Sequence, residues 1–208
     1  MIALRQWRRA LPAAAVVAAL ACAGAADAAD GGAHDAHQHH HGAPAPAEGA
    51  AKPSAVRGLP GVTLVREDGV QVRIDQEAGD RKPVVLAFIY TSCTAVCPVT
   101  SQILSQVQDK LGSARSDVKL ISVSIDPEYD TPARLRQYAQ KFGAGPAWKH
   151  YTGTRADSVA VQKAFGAYAG DKMNHQPALF VRPAGSSQWL RLEGFPRPEA
   201  VVKQLKLS

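Results

Sequence analysis

Cysteine and methionine are scarce in this 208-residue chain, which has three of the former and two of the latter. Runs in which Lys or Arg alternates with aromatic residues are missing, so we expect no nucleic-acid partner. Internal repeats are also missing, and the length suits one ordinary domain with additional segments. Part of the formal net charge of +6 lies in the first 28 residues, so the remaining chain is only mildly basic.

The first 28 residues have the pattern of an export signal. A positive region comes first, formed by Arg5, Arg8 and Arg9. An Ala-rich apolar stretch follows over 11–26, and residues 26–28 match an A-x-A cleavage site. The apolar stretch is short for a membrane span. We therefore expect residues 1–28 to be a signal peptide and the protein to be periplasmic. A retained N-terminal anchor that tethers it to the inner membrane is the alternative.

Residues 29–57 are rich in Ala, Pro and His, and this composition predicts a disordered linker that cannot form a core. Five of the seven histidines lie within it: His34, His37, His39, His40 and His41. Imidazole binds copper, nickel and zinc, so the tract is a candidate auxiliary metal-binding segment. A solvated linker without a function is the alternative. The folded domain is predicted over residues 58–208.

Patterns of strand and helix alternate along this predicted domain. An Asp-Gly pair at 68–69 predicts a hairpin between two apolar segments, 62–65 and 70–74. The apolar run 84–90 predicts a buried strand, and further strands are predicted at 118–125, 148–151, 178–181 and 189–192. Helices are predicted to begin at Pro98, Pro132, Asp157 or Ser158, and Pro198. This order predicts an α/β fold, with a central mixed sheet flanked by helices and an N-terminal β-hairpin.

Cys93 and Cys97 lie between the buried strand and the helix that follows it. Because proline is favoured at the first helical position, Pro98 predicts Cys97 as the N-cap and places Cys93 in the turn. A helix N-terminus favours negative charge, so both thiols are expected to ionise more readily than free cysteine. Once Cys22 is removed with the signal peptide, this pair can form a reversible disulfide or bind a soft metal. A cysteine pair between a buried strand and the helix that follows it is the arrangement typical of thioredoxin-like folds.

Three motifs together resemble the Sco/SenC copper-chaperone family: T-S-C-T-A-V-C-P at 91–98, I-S-V-S-I-D-P-E-Y-D-T-P at 121–132 and K-M-N-H-Q-P at 172–177. The resemblance runs from about residue 58 to the C-terminus. It implies a thioredoxin-like fold and one copper ion, Cu(I) or Cu(II), bound by Cys93, Cys97 and His175. It also implies a role in assembling the binuclear copper centre of cytochrome c oxidase. The expected partner is the copper-site subunit of that oxidase or another periplasmic copper enzyme.

Four further residues have an interpretation from the sequence. Asp126 is a candidate for orienting the metal ligands, with capping of the turn before Pro127 as the alternative. Met173 is interpreted as a packing residue, with ligation through its thioether as the alternative. His150 is interpreted as structural or exposed. The family usually has Asp directly before the ligand His, whereas this chain has Asn174.

The resemblance makes a copper metallochaperone the leading interpretation, that is, a binding protein rather than an enzyme. Pro177 stands before a predicted strand, as does the proline that faces the cysteine loop in thioredoxin-like oxidoreductases. A thiol–disulfide oxidoreductase that reduces cysteines of copper-site client proteins, with Cys93 and Cys97 as catalytic residues, is therefore the alternative. Peroxidases of this fold usually carry Thr three residues before the nucleophilic Cys. Tyr90 holds that position here, which disfavours a peroxidase.

Overall fold

The computed structural model describes residues 51–56 and 58–207, all within the unit that spans Gly42–Ser208. The predicted signal peptide, the histidines at 34–41 and most of the predicted linker lie outside the described residues. Within the described part, no helix is both long enough and apolar enough to cross a membrane. The predicted domain boundaries stay predictions.

Strands and helices alternate along the described residues. The strands are β1 Lys52–Pro53, β2 Thr63–Arg66, β3 Gln71–Arg73, β4 Val84–Ile89, β5 Lys119–Ser124, β6 Trp148–Thr152, β7 Ala178–Arg182 and β8 Leu190–Glu193. The α-helices are α1 Ile74–Glu77, α2 Val96–Leu111, α3 Pro132–Lys141, α4 Arg155–Ala164 and α5 Pro198–Gln204. Two 3₁₀ helices, Gly112–Asp117 and Lys172–Asn174, have no counterpart in the sequence-based expectations.

The strands form one mixed sheet in the order β1-β8-β7-β4-β5-β6-β2-β3. β5 lies parallel to β4 and β6, and every other neighbouring pair is antiparallel. The predicted N-terminal hairpin is present as β2 and β3, and Gly69 in its turn has a φ of 90°, which favours glycine. In the central pair Ile89 faces Ser124, so the cysteine loop after β4 and the Asp126 turn after β5 leave the sheet at the same edge. Sites in open α/β sheets lie beyond such carboxyl ends.

The central strand β4 is buried on both faces, which explains its continuous apolar sequence. Val84, Leu86 and Phe88 pack into one core cluster together with α4. Val85 and Ala87 point to the opposite face and pack into a second cluster, which includes apolar residues of α2 and α5. Helices therefore cover both faces of the sheet. The cysteine loop begins at the end of this buried strand.

Two helices begin earlier than the sequence predicts. α2 begins at Val96 rather than at Pro98, and α4 begins at Arg155 because the Thr154 hydroxyl accepts a hydrogen bond from the Asp157 amide at 3.1 Å. The first four amides of a helix have no partner within it, so Pro98 fits the first turn as well as the first position. The predicted start of α3 is confirmed, since Thr131 caps it by accepting from the Arg134 amide at 3.3 Å.

Candidate functional site

Cys93 and Cys97 lie side by side at the beginning of α2, and both are free thiols. They are buried, with exposed fractions of 7% and 1% respectively. The Cys97 amide donates a hydrogen bond to the Cys93 sulfur at 3.4 Å. The N-cap position belongs to Ala95, so the prediction that Cys97 is the N-cap is wrong. The Cys93 sulfur satisfies a first-turn amide in place of a capping side chain, which brings Cys97 into the helix.

The environment of the two sulfurs differs, and their pKa values move in opposite directions. Burial opposes ionisation of Cys93, but hydrogen bonds from Cys97, Ala95 and Tyr90 outweigh it and lower the pKa of Cys93. Burial raises the pKa of Cys97, and the neighbouring Cys93 raises it further. The expectation that both thiols ionise readily is therefore right for Cys93 and wrong for Cys97. Cys97 lies inside the first turn of α2, and the stabilisation of negative charge by the helix N-terminus does not offset the loss of solvent around its sulfur.

Asp130 holds the start of the cysteine loop, a role that sequence reasoning missed. The buried carboxylate accepts hydrogen bonds from the Thr91 hydroxyl at 2.5 Å, the Thr91 amide at 3.2 Å and the Ser124 hydroxyl at 2.6 Å. Burial raises the pKa of Asp130, although these hydrogen bonds act in the opposite direction. Asp130 is the second aspartate of the D-P-E-Y-D-T-P motif, so the motif carried a signal that was assigned to Asp126 alone.

Asp126 contacts the segment that leads to His175. Its carboxylate pairs with the Lys172 ammonium at 2.5 Å, and Lys172 is the first residue of the 3₁₀ helix Lys172–Asn174. The Lys172 ammonium also lies 5.6 Å from the centre of the Tyr90 ring. Nothing local in the sequence indicates a pair that is 46 residues apart. Asp126 is therefore joined to the His175 segment through Lys172.

His175 follows that 3₁₀ helix and is buried, with an exposed fraction of 8%. Its ring lies edge-on to Phe88 of β4, with 6.5 Å between the ring centres. Burial lowers the pKa of His175, although a hydrogen bond to the Phe88 backbone acts in the opposite direction, so the ring is neutral at neutral pH. A polar cleft of about 440 Å³ opens beside the ring and is lined by Asp126, Glu128, Arg155, Tyr168 and Lys172 among others.

The structure brings together only part of the predicted ligand set. Cys93 and Cys97 are in contact, whereas His175 packs against Phe88. In residues 51–56 and 58–207, no three side chains of His, Cys, Asp or Glu are grouped closely enough to hold one metal ion. The assignment of Cys93, Cys97 and His175 as ligands of one ion therefore stays a prediction.

Two other candidate residues have clear positions. Met173 is 72% exposed, so its interpretation as a packing residue is wrong. Met173 lies in a short polar turn, in which its amide donates a hydrogen bond to the Asp171 carboxylate. Its side chain therefore lies outside the core. His150 is structural, as one of the two interpretations has it, because it has no exposed surface and stacks on Trp148.

Comparison with known proteins places this geometry in a family. The sequence profile of the SCO1/SenC family matches residues 60–186, more than half of the chain. The chain belongs to the SCO1/SenC family. Like other members it has the thioredoxin-like fold predicted from its sequence, with the cysteine pair after the central strand.

One curated SCO1/SenC relative is the SCO1 protein homolog of Bacillus subtilis, which is 34% identical over 128 residues. The aligned stretch covers 57% of this chain and 65% of that relative. This chain thus matches less than two thirds of the relative's length.

Two solved structures of the SCO1/SenC family have the same fold. ScoI of Bradyrhizobium japonicum, solved with copper bound, is 25% identical with a TM-score of 0.58, over 75% of this chain and 97% of that chain. BsSco is described as having a disulfide switch and as a member of a family of cytochrome c oxidase assembly proteins. It is 24% identical with a TM-score of 0.62, over 74% of this chain and 95% of that chain.

Proposed function

We propose that this protein is a periplasmic copper metallochaperone that binds one copper ion through Cys93, Cys97 and His175. Its client is the binuclear copper site of cytochrome c oxidase or another copper enzyme of the same compartment. The observation that carries the proposal is the adjacent pair of free thiols, one of them biased towards the thiolate, at the end of the central strand. Thiolate and imidazole ligands suit copper in both of its common oxidation states.

The two sulfurs contribute differently to copper binding. Cys93 is the ligand that ionises more readily, because hydrogen bonds from the helix start lower its pKa. Cys97 has a raised pKa and must lose its proton when the ion binds. Since metal binding then releases a proton, affinity should rise with pH. Oxidation of the pair to a disulfide removes both ligands, so copper binding and the disulfide exclude each other.

The state of His175 supports its role as the third ligand. Its ring is neutral, which is the form that binds metals, and it is hydrogen-bonded to the backbone of Phe88. Histidine ligands usually donate their second ring N–H to a carbonyl or carboxylate, which orients the ring and increases its basicity. His175 belongs to the segment that Lys172 joins to Asp126, so this segment carries the proposed third ligand.

The copper bound to ScoI of Bradyrhizobium japonicum and the assembly role described for the family of BsSco support the cargo and the client. The proposed chain organisation is a signal peptide at 1–28 (or an anchor retained in the inner membrane), a linker at 29–57 and the copper-binding domain at 58–208. β1 adds residues 52–53 to the edge of the sheet beside β8. The histidines at 34, 37, 39, 40 and 41 are proposed as an auxiliary metal-binding tract.

The decisive experiment is a titration of the reduced protein with Cu(I) and Cu(II). We expect one ion per chain, lost in Cys93→Ser and weakened in His175→Ala. Asn174→Ala, which changes the neighbouring residue without removing a ligand, is the matched control. Unchanged binding in His175→Ala would remove His175 from the site. Deleting residues 30–53 should leave the tight site intact, and a large loss would assign the binding to the His tract instead.

Thiol–disulfide exchange is a second candidate function, favoured by the opposite pKa shifts of the two cysteines. The Cys93 thiolate attacks a client disulfide, forms a mixed disulfide and releases one client thiolate. Cys97 then loses its proton, attacks Cys93 and releases the second client thiolate. The client gains two electrons and this protein is left with a Cys93–Cys97 disulfide. In Cys97→Ser the mixed disulfide should accumulate with a disulfide-bonded client peptide. If none forms while copper still binds the wild type, the chaperone function stands alone.

A further inference from the structure

Met173 is the most exposed of the large hydrophobic side chains in the described part of the chain, at 72%. Apart from Met1 it is the only methionine of the protein. Other exposed apolar side chains, such as Val99, retain at least half of their surface in contact with the protein. An apolar side chain at this level of exposure contributes little to the core. Single exposed apolar residues are common, so the contacts of Met173, rather than its exposure, carry the argument that follows.

The thioether of Met173 lies next to the cysteine pair. Its sulfur accepts a hydrogen bond from the Tyr90 hydroxyl at 3.7 Å. Tyr90 packs in one buried cluster with Cys93 and Cys97, and it contributes to the lowered pKa of Cys93. The thioether therefore lies against the tyrosine that packs with the cysteine pair.

The backbone of Met173 is held in place, whereas its side chain has one polar contact, the weak hydrogen bond from Tyr90. The Met173 amide donates to the Asp171 carboxylate at 2.9 Å, and the preceding Lys172 is paired with Asp126. The side chain beyond this anchored backbone has three rotatable bonds and is largely in solvent. Its sulfur can therefore move by several ångströms, on the order of its own length, without any change in the fold.

Thioether sulfur is a soft ligand that favours Cu(I) and, unlike a thiol, carries no proton that has to leave. Cys93 is the more exposed of the two cysteines, so its sulfur is the more accessible one. Tyr90 contacts Met173 and packs in the same cluster as Cys93. A soft, proton-free ligand thus lies near the more accessible thiol of the pair.

We propose that Met173 is a transfer ligand for Cu(I), which binds the ion together with Cys93 while copper enters or leaves the cysteine pair. This inference rests on the proposed copper-chaperone function and adds a ligand to it. The step is a ligand exchange: a bond from copper to the Met173 sulfur forms as the bond to Cys97, or to an external ligand, breaks. Copper remains Cu(I) throughout, so no oxidant or reductant is needed.

Selenomethionine labelling tests the inference directly, because it places selenium at residue 173 and otherwise only at Met1. X-ray absorption of the labelled, reduced, full-length protein, partly loaded with Cu(I), should show copper–selenium scattering. Labelled Met173→Leu keeps the size and apolar character of the side chain, retains only the selenium of residue 1, and should lose that signal. The rate of Cu(I) transfer to bicinchoninate, a colorimetric chelator, should fall about tenfold in Met173→Leu, as is typical when one contributor to a metal site is removed.

Val99→Ala is the matched control, because Val99 is an exposed apolar residue two positions after Cys97. This variant should transfer copper at the wild-type rate. Equal slowing in both variants would overturn the inference, since it would indicate an apolar docking surface rather than a sulfur ligand. The inference also falls if no copper–selenium scattering appears and Met173→Leu transfers normally while it still binds one Cu(I). In that case the chaperone function stands, whereas wild-type protein that binds no Cu(I) would overturn both.

Discussion

We expect the folded domain to lose stability as the pH falls below about 6.5, because His150 has to remain neutral in the core. His150 has no exposed surface, and in the described part of the chain neither ring nitrogen has a hydrogen-bond partner. Its ring stacks on Trp148 with 5.2 Å between centres and meets Tyr138 edge-on at 6.1 Å. Burial, with a smaller contribution from Lys149, lowers the pKa of His150 from 6.5 to about 3.

The sign and size of the effect follow from these two pKa values. Below pH 6.5 the unfolded chain binds a proton at residue 150, whereas the folded chain binds this proton only below about pH 3. The free energy of unfolding therefore falls by about 1.4 kcal/mol for each pH unit within this window. At about pH 5 the loss is about 2 kcal/mol relative to neutral pH, a large fraction of the stability of an ordinary domain.

Urea unfolding at neutral pH and at about pH 5 provides the measurement, with the wild type compared to His150→Leu. The Leu variant loses no hydrogen bond, so at neutral pH it should lie within about 1.5 kcal/mol of the wild type. At the lower pH the Leu variant should not show the decrease of about 2 kcal/mol in the free energy of unfolding. His175→Gln is the control for the other buried histidine, and any titration of Asp130 is common to all variants. A parallel decline of wild type and His150→Leu would refute the reasoning.

Two further predictions concern the cysteine loop. Limited alkylation of the reduced protein with iodoacetamide at neutral pH, mapped by mass spectrometry, should modify Cys93 well before Cys97, because only Cys93 has a lowered pKa and it is the more exposed thiol. Asp130→Ala should lower the free energy of unfolding by about 1–3 kcal/mol, since the buried Ser124 hydroxyl and the Thr91 amide lose their acceptor.

Each of these predictions has a clear contrary result. Equal alkylation of the two cysteines would show that the helix start does not distinguish them. Asp130→Asn keeps one carbonyl oxygen as acceptor and should destabilise the fold less than Asp130→Ala. If both substitutions leave the stability and the reactivity of Cys93 unchanged, Asp130 does not hold the loop.

The fold could be predicted to a large extent because its main signals are local. The apolar run that became β4, the Asp-Gly turn and the Thr131 cap each depend on residues a few positions apart. The starts of α2 and α4 were misplaced by two or three residues for a related reason. Pro98 is compatible with several first-turn positions, and the cap of α4 is a threonine, Thr154, that lies before the predicted boundary.

The order of strands and helices, the cysteine pair after the buried strand and the family membership, through three separated motifs, could all be read from the sequence. The difference between the two thiols emerged from the folded structure, because burial and hydrogen bonding at the start of α2 act on Cys93 and Cys97 in opposite directions. The folded structure also decided the pairing of Asp126 with Lys172 and the position of Met173 beside Tyr90. Such contacts join segments far apart in the chain, and they exist only once the sheet has brought the ends of β4 and β5 to one edge.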